Sequence, residues 1–123
     1  MQVLAHHRLV RQLSRRRLTP EALIPVAHDI QQGKTDSLGK RLYKTRMRKP
    51  GHGKRGGYRT IAYYRAAQRL VFLYMYDKAE KTDLTNEERE ALGLLAGQFD
   101  RNSEADWAAL VGRGYYVQVP TRT

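Results

Sequence analysis

Residues 58–76, YRTIAYYRAAQRLVFLYMY, decide the fold of this chain. Two runs rich in aromatic and β-branched residues, 58–65 and 70–76, flank the short link at residues 66–68. Runs of this kind on either side of a short link are typical of an antiparallel β-hairpin. The sequence therefore predicts a β-hairpin over residues 58–76.

A third strand and a glycine-rich segment precede the hairpin. Over residues 42–47 the repeat of the sequence pattern changes from the helical period to a period of about two residues, which predicts a strand. Residues 51–57 hold four glycines among His52, Lys54 and Arg55, which predicts a flexible loop dense in hydrogen-bond donors. The segment 33–39, before the strand, is interpreted as a loop.

The N-terminal part combines a strand with two helices. Residues 2–5 are apolar enough for a short edge strand, and residues 7–17 have the apolar stripe of an amphipathic helix. A capping threonine and a first-turn proline at residues 19–20 begin a second helix that runs to Gly33. Pro25 interrupts its pattern, so this helix either is kinked at Pro25 or begins there.

Two capping signals mark the C-terminal part. Thr85 and Glu88 form a capping box ahead of an apolar stripe, which predicts a helix. Ser103 with Asp106 predicts a second, shorter helix, and residues 115–119 predict a brief final strand.

These elements predict an α+β fold, in which a small antiparallel sheet has N-terminal helices packed on it and a C-terminal helix. A length of 123 residues suits one domain, and 41% hydrophobic with 28% charged residues is the composition of a folded protein. We therefore expect a single domain over residues 1–123, with 101–123 as a short helix–strand tail.

Positive charge is concentrated in the first two-thirds of the chain. The net charge is +11, and residues 1–76 hold 17 of the 23 basic residues but only 3 of the 12 acidic ones. No Asp or Glu occurs in residues 37–76. Such a field attracts polyanions, so nucleic acid is the first partner to expect. A basic surface kept for solubility is the alternative, but such surfaces normally mix both signs.

Several classes of protein are excluded by composition. The absence of cysteine excludes a disulfide scaffold and thiolate zinc sites, and the histidines lack metal-ligand spacing. The longest apolar run, 70–75, is too short to cross a bilayer, and the arginines in 1–18 do not fit a signal peptide, so we expect a cytoplasmic protein. The Walker pattern is missing from 51–57, so neither a nucleotide nor another cofactor is expected.

The candidate site combines basic side chains with tyrosines on neighbouring strands. Alternate residues of a strand share a face, so Lys44, Arg46 and Arg48 project together and Arg59 meets them from the next strand. Tyrosines beside such cations can stack on bases, although by alternation half of them should pack in the core. His52, among the glycines, is either a plain loop histidine or an acid or base near neutral pH.

Two segments carry a resemblance to a known family: residues 53–61, GKRGGYRTI, and residues 70–80, LVFLYMYDKAE. These segments resemble the RelE family of bacterial toxins and, more narrowly, its HigB-like branch. The helices predicted from Thr85 and Ser103 fit that pattern, so the resemblance covers nearly the whole chain. It implies a RelE-like toxin domain.

The resemblance also implies an activity. This is ribosome-dependent mRNA cleavage without a metal ion, in which the 2′-hydroxyl attacks the adjacent phosphate, and the toxin is controlled by an antitoxin encoded beside it. The catalytic residues implied, by match to the family's basic strand, loop, Tyr-Arg pair and following turn, are Arg59, Lys54, Arg46, Arg48 and Lys78. The candidates for substrate binding are Lys44, Lys49, His52, Arg55, Tyr76 and Lys81. Ala79 stands where some members have an arginine and Thr85 where a few have a tyrosine, so Lys81 or His52 is a candidate for the missing acid or base.

The alternative is a member of this fold without catalysis, either a ParE-like inhibitor of a DNA topoisomerase or a basic nucleic-acid-binding module. A cleaving enzyme needs its cations in one pocket, whereas a binding protein can spread them over a face. In the toxin hypothesis the antitoxin is expected to be acidic and partly disordered, and to cover the basic face or fill a groove beside the Thr85 helix.

Overall fold

A computed structural model of the protein describes residues 1–50 and 57–121. Six strands and four α-helices form an α+β domain, as predicted. The elements in chain order are β1 (Gln2–His6), α1 (His7–Arg15), α2 (Ile24–Gln31), β2 (Asp36–Gly39), β3 (Leu42–Met47), β4 (Tyr58–Arg65), β5 (Arg69–Asp77), α3 (Asn86–Arg101), α4 (Glu104–Gly112) and β6 (Tyr116–Gln118). Within the described ranges, no helix has the length and apolar character needed to span a membrane.

The predicted hairpin forms the middle of the sheet. Strands β4 and β5 pair in antiparallel register from Tyr58 opposite Asp77 to Arg65 opposite Arg69. Ala67 turns the chain with a φ of 64°. Strand β3 pairs with the other edge of β4, so the three predicted antiparallel strands are confirmed.

Two predictions about the sheet are wrong. Strand β1 is not at an edge, because it pairs parallel with β5 and antiparallel with β6 in the order β2-β3-β4-β5-β1-β6. Val3, Leu4 and Ala5 are all buried, as expected of a strand that is covered on both faces. The predicted loop at 33–39 contains the edge strand β2, which pairs with β3 through a turn in which Lys40 and Arg41 both have positive φ.

The helices begin and end close to their predicted limits. Pro20–Leu23 form a 3₁₀ turn, and α2 begins at Ile24 with Pro25 in its first turn, so the helix begins at the proline and is not kinked by it. Both predicted capping boxes are present, at Thr85 and Ser103.

Helices cover both faces of the sheet. Helices α1 and α2 bury residues such as Leu13 and Ile30 against one face, with Phe72 and Met75 of β5. Helices α3 and α4 cover the other face, where Phe99 and Trp107 pack on Tyr63 and Ile61. Because strand residues alternate between these two cores, each basic strand residue can be assigned to a face.

Candidate active site

Two arginines lie opposite each other near one end of the sheet. Arg46 of β3 and Arg59 of β4 are direct partners in the antiparallel register. Arg59 alternates with Ile61 and Tyr63, which pack in the α3–α4 core, so both guanidinium groups belong to that face. Arg46 is exposed and Arg59 is half-buried, so the pair borders solvent.

Lys44 extends this group toward the start of α3. It alternates with Arg46 along β3, and its Nζ lies 3.6 Å from Oδ1 of Asp83. Arg89, in the first turn of α3, donates to the same carboxylate at 3.1 Å. The pKa of Asp83 is lowered, first by the backbone N–H of Leu84 and then by Lys44 and Arg89, so this carboxylate stays ionised among the cations.

Tyr76 lies behind the arginine pair, directly opposite Arg59 in the β4–β5 register. Its hydroxyl is buried and has no hydrogen-bond partner among the described residues. Burial, followed by the charge of Asp83, raises the pKa of Tyr76, while Arg59 and Arg89 act in the opposite direction. The side chain therefore keeps its proton at neutral pH and can donate it in a hydrogen bond.

A second group adjoins the first through Tyr74, whose ring centroid is 6.0 Å from that of Tyr76. Lys81 pairs with Oε1 of Glu88 at 2.7 Å. Hydrogen bonds from Lys81 and from the Thr85 backbone lower the pKa of Glu88 to about 2. Burial, followed by the bond to Glu88, raises the pKa of Tyr74 to about 12. Lys81 is thus held by a carboxylate beside the candidate site.

Two other predicted site residues, Lys49 and Lys78, make contacts outside this group. Lys49 forms a 2.7 Å ion pair with Asp77 and lies 5.5 Å from the ring centroid of Tyr58, which packs in the α1–α2 core. It is therefore on the opposite face from Arg59. Lys78 donates to the carbonyl oxygen of Thr82 at 3.0 Å in the turn after β5.

The remaining candidates lie at or beyond the end of β3. Arg48 is exposed just after this strand, which ends at Met47. His52, Lys54 and Arg55 lie outside the described residues. Arg46 and Arg59 are neighbours across β3 and β4, but convergence of these arginines with Lys54 in one pocket, which would distinguish an enzyme from a binding protein, stays a prediction.

All six tyrosines of β3, β4 and β5 pack in or against one of the two cores, because helices cover both faces of the sheet, so alternation does not separate core tyrosines from stacking ones. Tyr58, Tyr63 and Tyr76 are buried, and the half-buried ones are Tyr43, Tyr64 and Tyr74. Asp83 and Arg89 are parts of the site that no sequence pattern indicated. The capping box at Thr85 is the signal that could have found Arg89, since it fixes where the first turn of α3 lies.

The chemistry of the group is that of an anion site. Lys44 and Arg89 pair with the carboxylate of Asp83, and Arg46 and Arg59 are cross-strand neighbours on the same face of the sheet. Across residues 1–50 and 57–121, no three His, Asp or Glu side chains come together in a way that could hold a metal ion. Arginine pairs of this kind suit bidentate recognition of phosphate.

Comparison with known proteins identifies the family. No curated protein is similar enough to be matched to the chain. Residues 1–119 match the family described as the RelE toxin of the RelE/RelB toxin–antitoxin system. The matched residues include all six strands and all four helices, from β1 to β6. The protein therefore belongs to the RelE toxin family of toxin–antitoxin systems.

Proposed function

We propose that this protein is a ribosome-dependent mRNA endonuclease, the toxin of a type II toxin–antitoxin pair that acts in the cytoplasm with a cognate antitoxin. The observation that carries the proposal is the opposition of Arg46 and Arg59 on one face of the sheet, with Lys44 beside them. Family membership supports it, because RelE toxins are generally endoribonucleases. The glycine-rich segment ahead of Tyr58 and Arg59 favours the HigB-like branch.

The reaction requires cations more than any other group. Attack of the 2′-hydroxyl on the adjacent phosphate forms a pentacoordinate phosphorane, and negative charge grows on its non-bridging oxygens. Arg59 and Arg46 are the residues proposed to hold these oxygens, because guanidinium groups fixed before the reaction stabilise such charge without reorganising. Lys44 and Arg48 are proposed to bind neighbouring phosphates of the message.

The role of Asp83 follows from the same geometry. Its carboxylate pairs with Lys44 and Arg89 beside the arginine pair, where it supplies the counter-charge that an RNA phosphate would otherwise supply. RNA binding then exchanges one anion for another, so Lys44 does not have to be desolvated without a partner. Tyr76, protonated and with a hydroxyl that has no hydrogen-bond partner among the described residues, is proposed to donate a hydrogen bond to a bound phosphate oxygen.

Proton transfer needs a base near the 2′-hydroxyl and an acid for the 5′-oxygen that leaves. The candidates for these roles are Lys78, Lys81, Lys54 and His52. Lys81 is tied to Glu88 and Lys78 to a backbone carbonyl, so either would have to exchange that bond for one to the substrate. A pH–rate profile of His52→Gln, compared with that of Lys81→Gln, would identify which residue titrates in the reaction.

Primer extension on ribosome-bound message tests the proposal directly. Purified protein should introduce cleavages in translated mRNA that leave cyclic phosphate ends, also in the presence of EDTA at a level that leaves ribosomes intact. The same mRNA without ribosomes should stay whole. Tight binding to ribosomes or RNA with no cleavage would favour the non-catalytic nucleic-acid-binding alternative, and inhibition of a topoisomerase would favour the ParE-like one.

A further inference from the structure

The turn after β5 is built around Asp77, the last residue of that strand. Its side-chain Oδ1 accepts the backbone N–H of Ala79 at 3.0 Å. Its backbone carbonyl oxygen accepts the N–H groups of Glu80 and Lys81, both at 3.0 Å. Asp77 therefore satisfies three of the first four backbone donors that follow the strand, and the remaining donor belongs to Lys78.

Lys78 continues the pairing of β5 with β4 by one step. Tyr58 lies opposite Asp77, and the N–H of Lys78 donates to the carbonyl oxygen of Gly57 at 3.1 Å. Because strand residues alternate, Lys78 shares a face with Tyr76, which is the face of the arginine pair. The backbone of Lys78 is thus fixed between β4 on one side and the turn formed by Asp77 on the other.

The side chain of Lys78 extends forward from this fixed backbone. Its Nζ donates to the carbonyl oxygen of Thr82 at 3.0 Å, in the exposed part of the turn. Thr82 immediately precedes Asp83, whose carboxylate pairs with Lys44 of the candidate site. The ammonium group of Lys78 is therefore anchored one residue away from the candidate site.

The carboxylate of Asp77 is kept charged by Lys49. The Asp77 side chain is 8% exposed, and its Oδ2 accepts a hydrogen bond from Nζ of Lys49 at 2.7 Å. The bond from Lys49, followed by the bond from the N–H of Ala79, lowers the pKa of Asp77. Hydrogen bonds from an N–H group to an ionised carboxylate are stronger than those between neutral groups. The ion pair therefore strengthens the contact with Ala79 that shapes the turn.

We propose that Asp77 is the positioning residue of Lys78 in the cleavage reaction, because its carboxylate and its carbonyl fix the turn from which Lys78 reaches the RNA. The inference rests on the proposed function, in which Lys78 is a candidate for proton transfer. The ammonium group of a lysine is carried on a flexible four-carbon stem, so a fixed backbone limits where that group can lie. Misplacing a reacting group by about 1 Å can lower a rate by about 10²-fold. Asp77 itself alternates with Met75 on the α1–α2 face, so it acts through Lys78 and not on the RNA.

A double-mutant cycle in the full-length protein tests whether Asp77 acts through Lys78. The variants are Asp77→Ala, Lys78→Gln and the two combined. Asp100→Ala is the matched control, because that carboxylate also binds a buried group, the hydroxyl of Tyr63 at 2.6 Å, near the other end of β4. Urea unfolding establishes that each variant is folded. The measurements are ribosome affinity, the single-turnover cleavage rate at saturating ribosome concentration, and hydrogen exchange of the backbone amides at 78–81.

We expect Asp77→Ala to lower the cleavage rate by about 10-fold or more, to leave ribosome affinity within about twofold of the wild type, and to speed amide exchange at 78–81. In the Lys78→Gln background the same change should lower the rate by less than about twofold, since a residue that acts through Lys78 has no further effect without it. Asp100→Ala should keep the wild-type rate.

An equal loss of rate from Asp77→Ala with and without Lys78 overturns the proposal, because it assigns Asp77 to folding alone. An unchanged rate, or a loss no greater than that of Asp100→Ala, also overturns it, and the comparison with Asp100→Ala decides if Lys78→Gln leaves no measurable rate. A wild type that does not cleave mRNA removes the proposed endonuclease. In that case faster exchange at 78–81 in Asp77→Ala keeps the placement of Lys78 by Asp77, and unchanged exchange overturns it.

Discussion

Arg46 and Arg59 are direct cross-strand partners, so two positive charges share one register position of the β3–β4 ladder. Like charges at opposing positions destabilise a sheet, by roughly 0.2 to 1 kcal/mol for a typical pair. Hydrophobic packing elsewhere in the sheet is sufficient to keep the strands in this register, since β4 buries Ile61, Ala62 and Tyr63. A phosphate bound between two guanidinium groups would favour this arrangement, as the proposed function requires.

Arg59→Ala is expected to abolish toxicity while leaving the fold intact. The side chain is half-buried at the border of the sheet, so its removal takes little from the core. Loss of one charged donor to a transition state typically lowers the rate by roughly 10² to 10³. The measurement is the cleavage rate on ribosome-bound mRNA together with urea unfolding.

Arg101→Ala is the matched control for this variant, because it removes an exposed arginine from the last turn of α3. It should leave the cleavage rate within about twofold of the wild type. Growth arrest by a folded Arg59→Ala protein, undiminished from the wild type, would contradict the role given to Arg59.

Replacing both Lys54 and Arg55 by Gln is expected to weaken RNA association and flatten its salt dependence. Each phosphate contact with a single strand contributes roughly 0.7 to the slope of log affinity against log salt, so the slope should fall by about 1.4. Fluorescence anisotropy with a labelled oligonucleotide at several salt concentrations measures this. An unchanged slope would mean that neither residue contacts the RNA phosphates.

The hairpin and its cations were predictable because the signals are local. Alternation in 58–65 and 70–76 fixes both strands, and the same period brings Arg46 and Arg59 to one face. The period-two rule, applied one residue further, would also have assigned Lys49 to the opposite face with Met47, where it pairs with Asp77.

The errors come from contacts between distant segments. The position of β1 depends on parallel pairing with β5, such as Gln2 opposite Arg69, and nothing in residues 2–5 themselves encodes that partner. Strand β2 has no apolar alternation and is held by its backbone pairing with β3. Asp83 reaches Lys44 because the turn after β5 brings the start of α3 over the end of the sheet, and no local pattern gives that distance.

Tyr76→Phe is expected to stabilise the protein and to lower its cleavage rate. The hydroxyl is buried without a partner among the described residues, and such a group costs about 1 to 3 kcal/mol. Removing it should therefore raise the free energy of unfolding by about 1 kcal/mol, while the proposed site loses a hydroxyl that could donate to a bound phosphate. Denaturant unfolding and single-turnover cleavage measure the two effects. A Phe variant that is less stable than the wild type would show that this hydroxyl has a partner in the folded protein.

The Lys81–Glu88 pair predicts a stability change in acid. The pKa of Glu88 is lowered from 4.5 to about 2, first by Lys81, so its ionised form is favoured in the folded state. This contribution is fully present above about pH 4.5, and it is lost as the pH falls through about 2. Glu88→Gln keeps the capping geometry without the charge. Urea unfolding measures the difference in stability between the wild type and Glu88→Gln. This difference should be constant from pH 7 to 5 and should shrink below pH 5. A difference that does not vary with pH would contradict the role of the Glu88 charge.

The ion pair of Arg69 and Glu104 predicts that removing one partner destabilises the protein more than removing the other. The Arg69 side chain is 8% exposed and the Glu104 side chain 83% exposed, although the two are joined at 2.7 Å. Arg69 also donates to Gln2 at 2.8 Å and lies 4.7 Å from the Trp107 ring centroid, so it joins β5, β1 and α4. Arg69→Ala should lower the free energy of unfolding by about 2 to 4 kcal/mol, because a charged hydrogen bond and a cation–π contact are lost together. Glu104→Ala should cost less than about 1 kcal/mol, because its carboxylate is solvated and water replaces it. Urea midpoints of both variants at constant m-value measure the difference. Equal midpoints would mean that Arg69 contributes no more to stability than an exposed ion pair does.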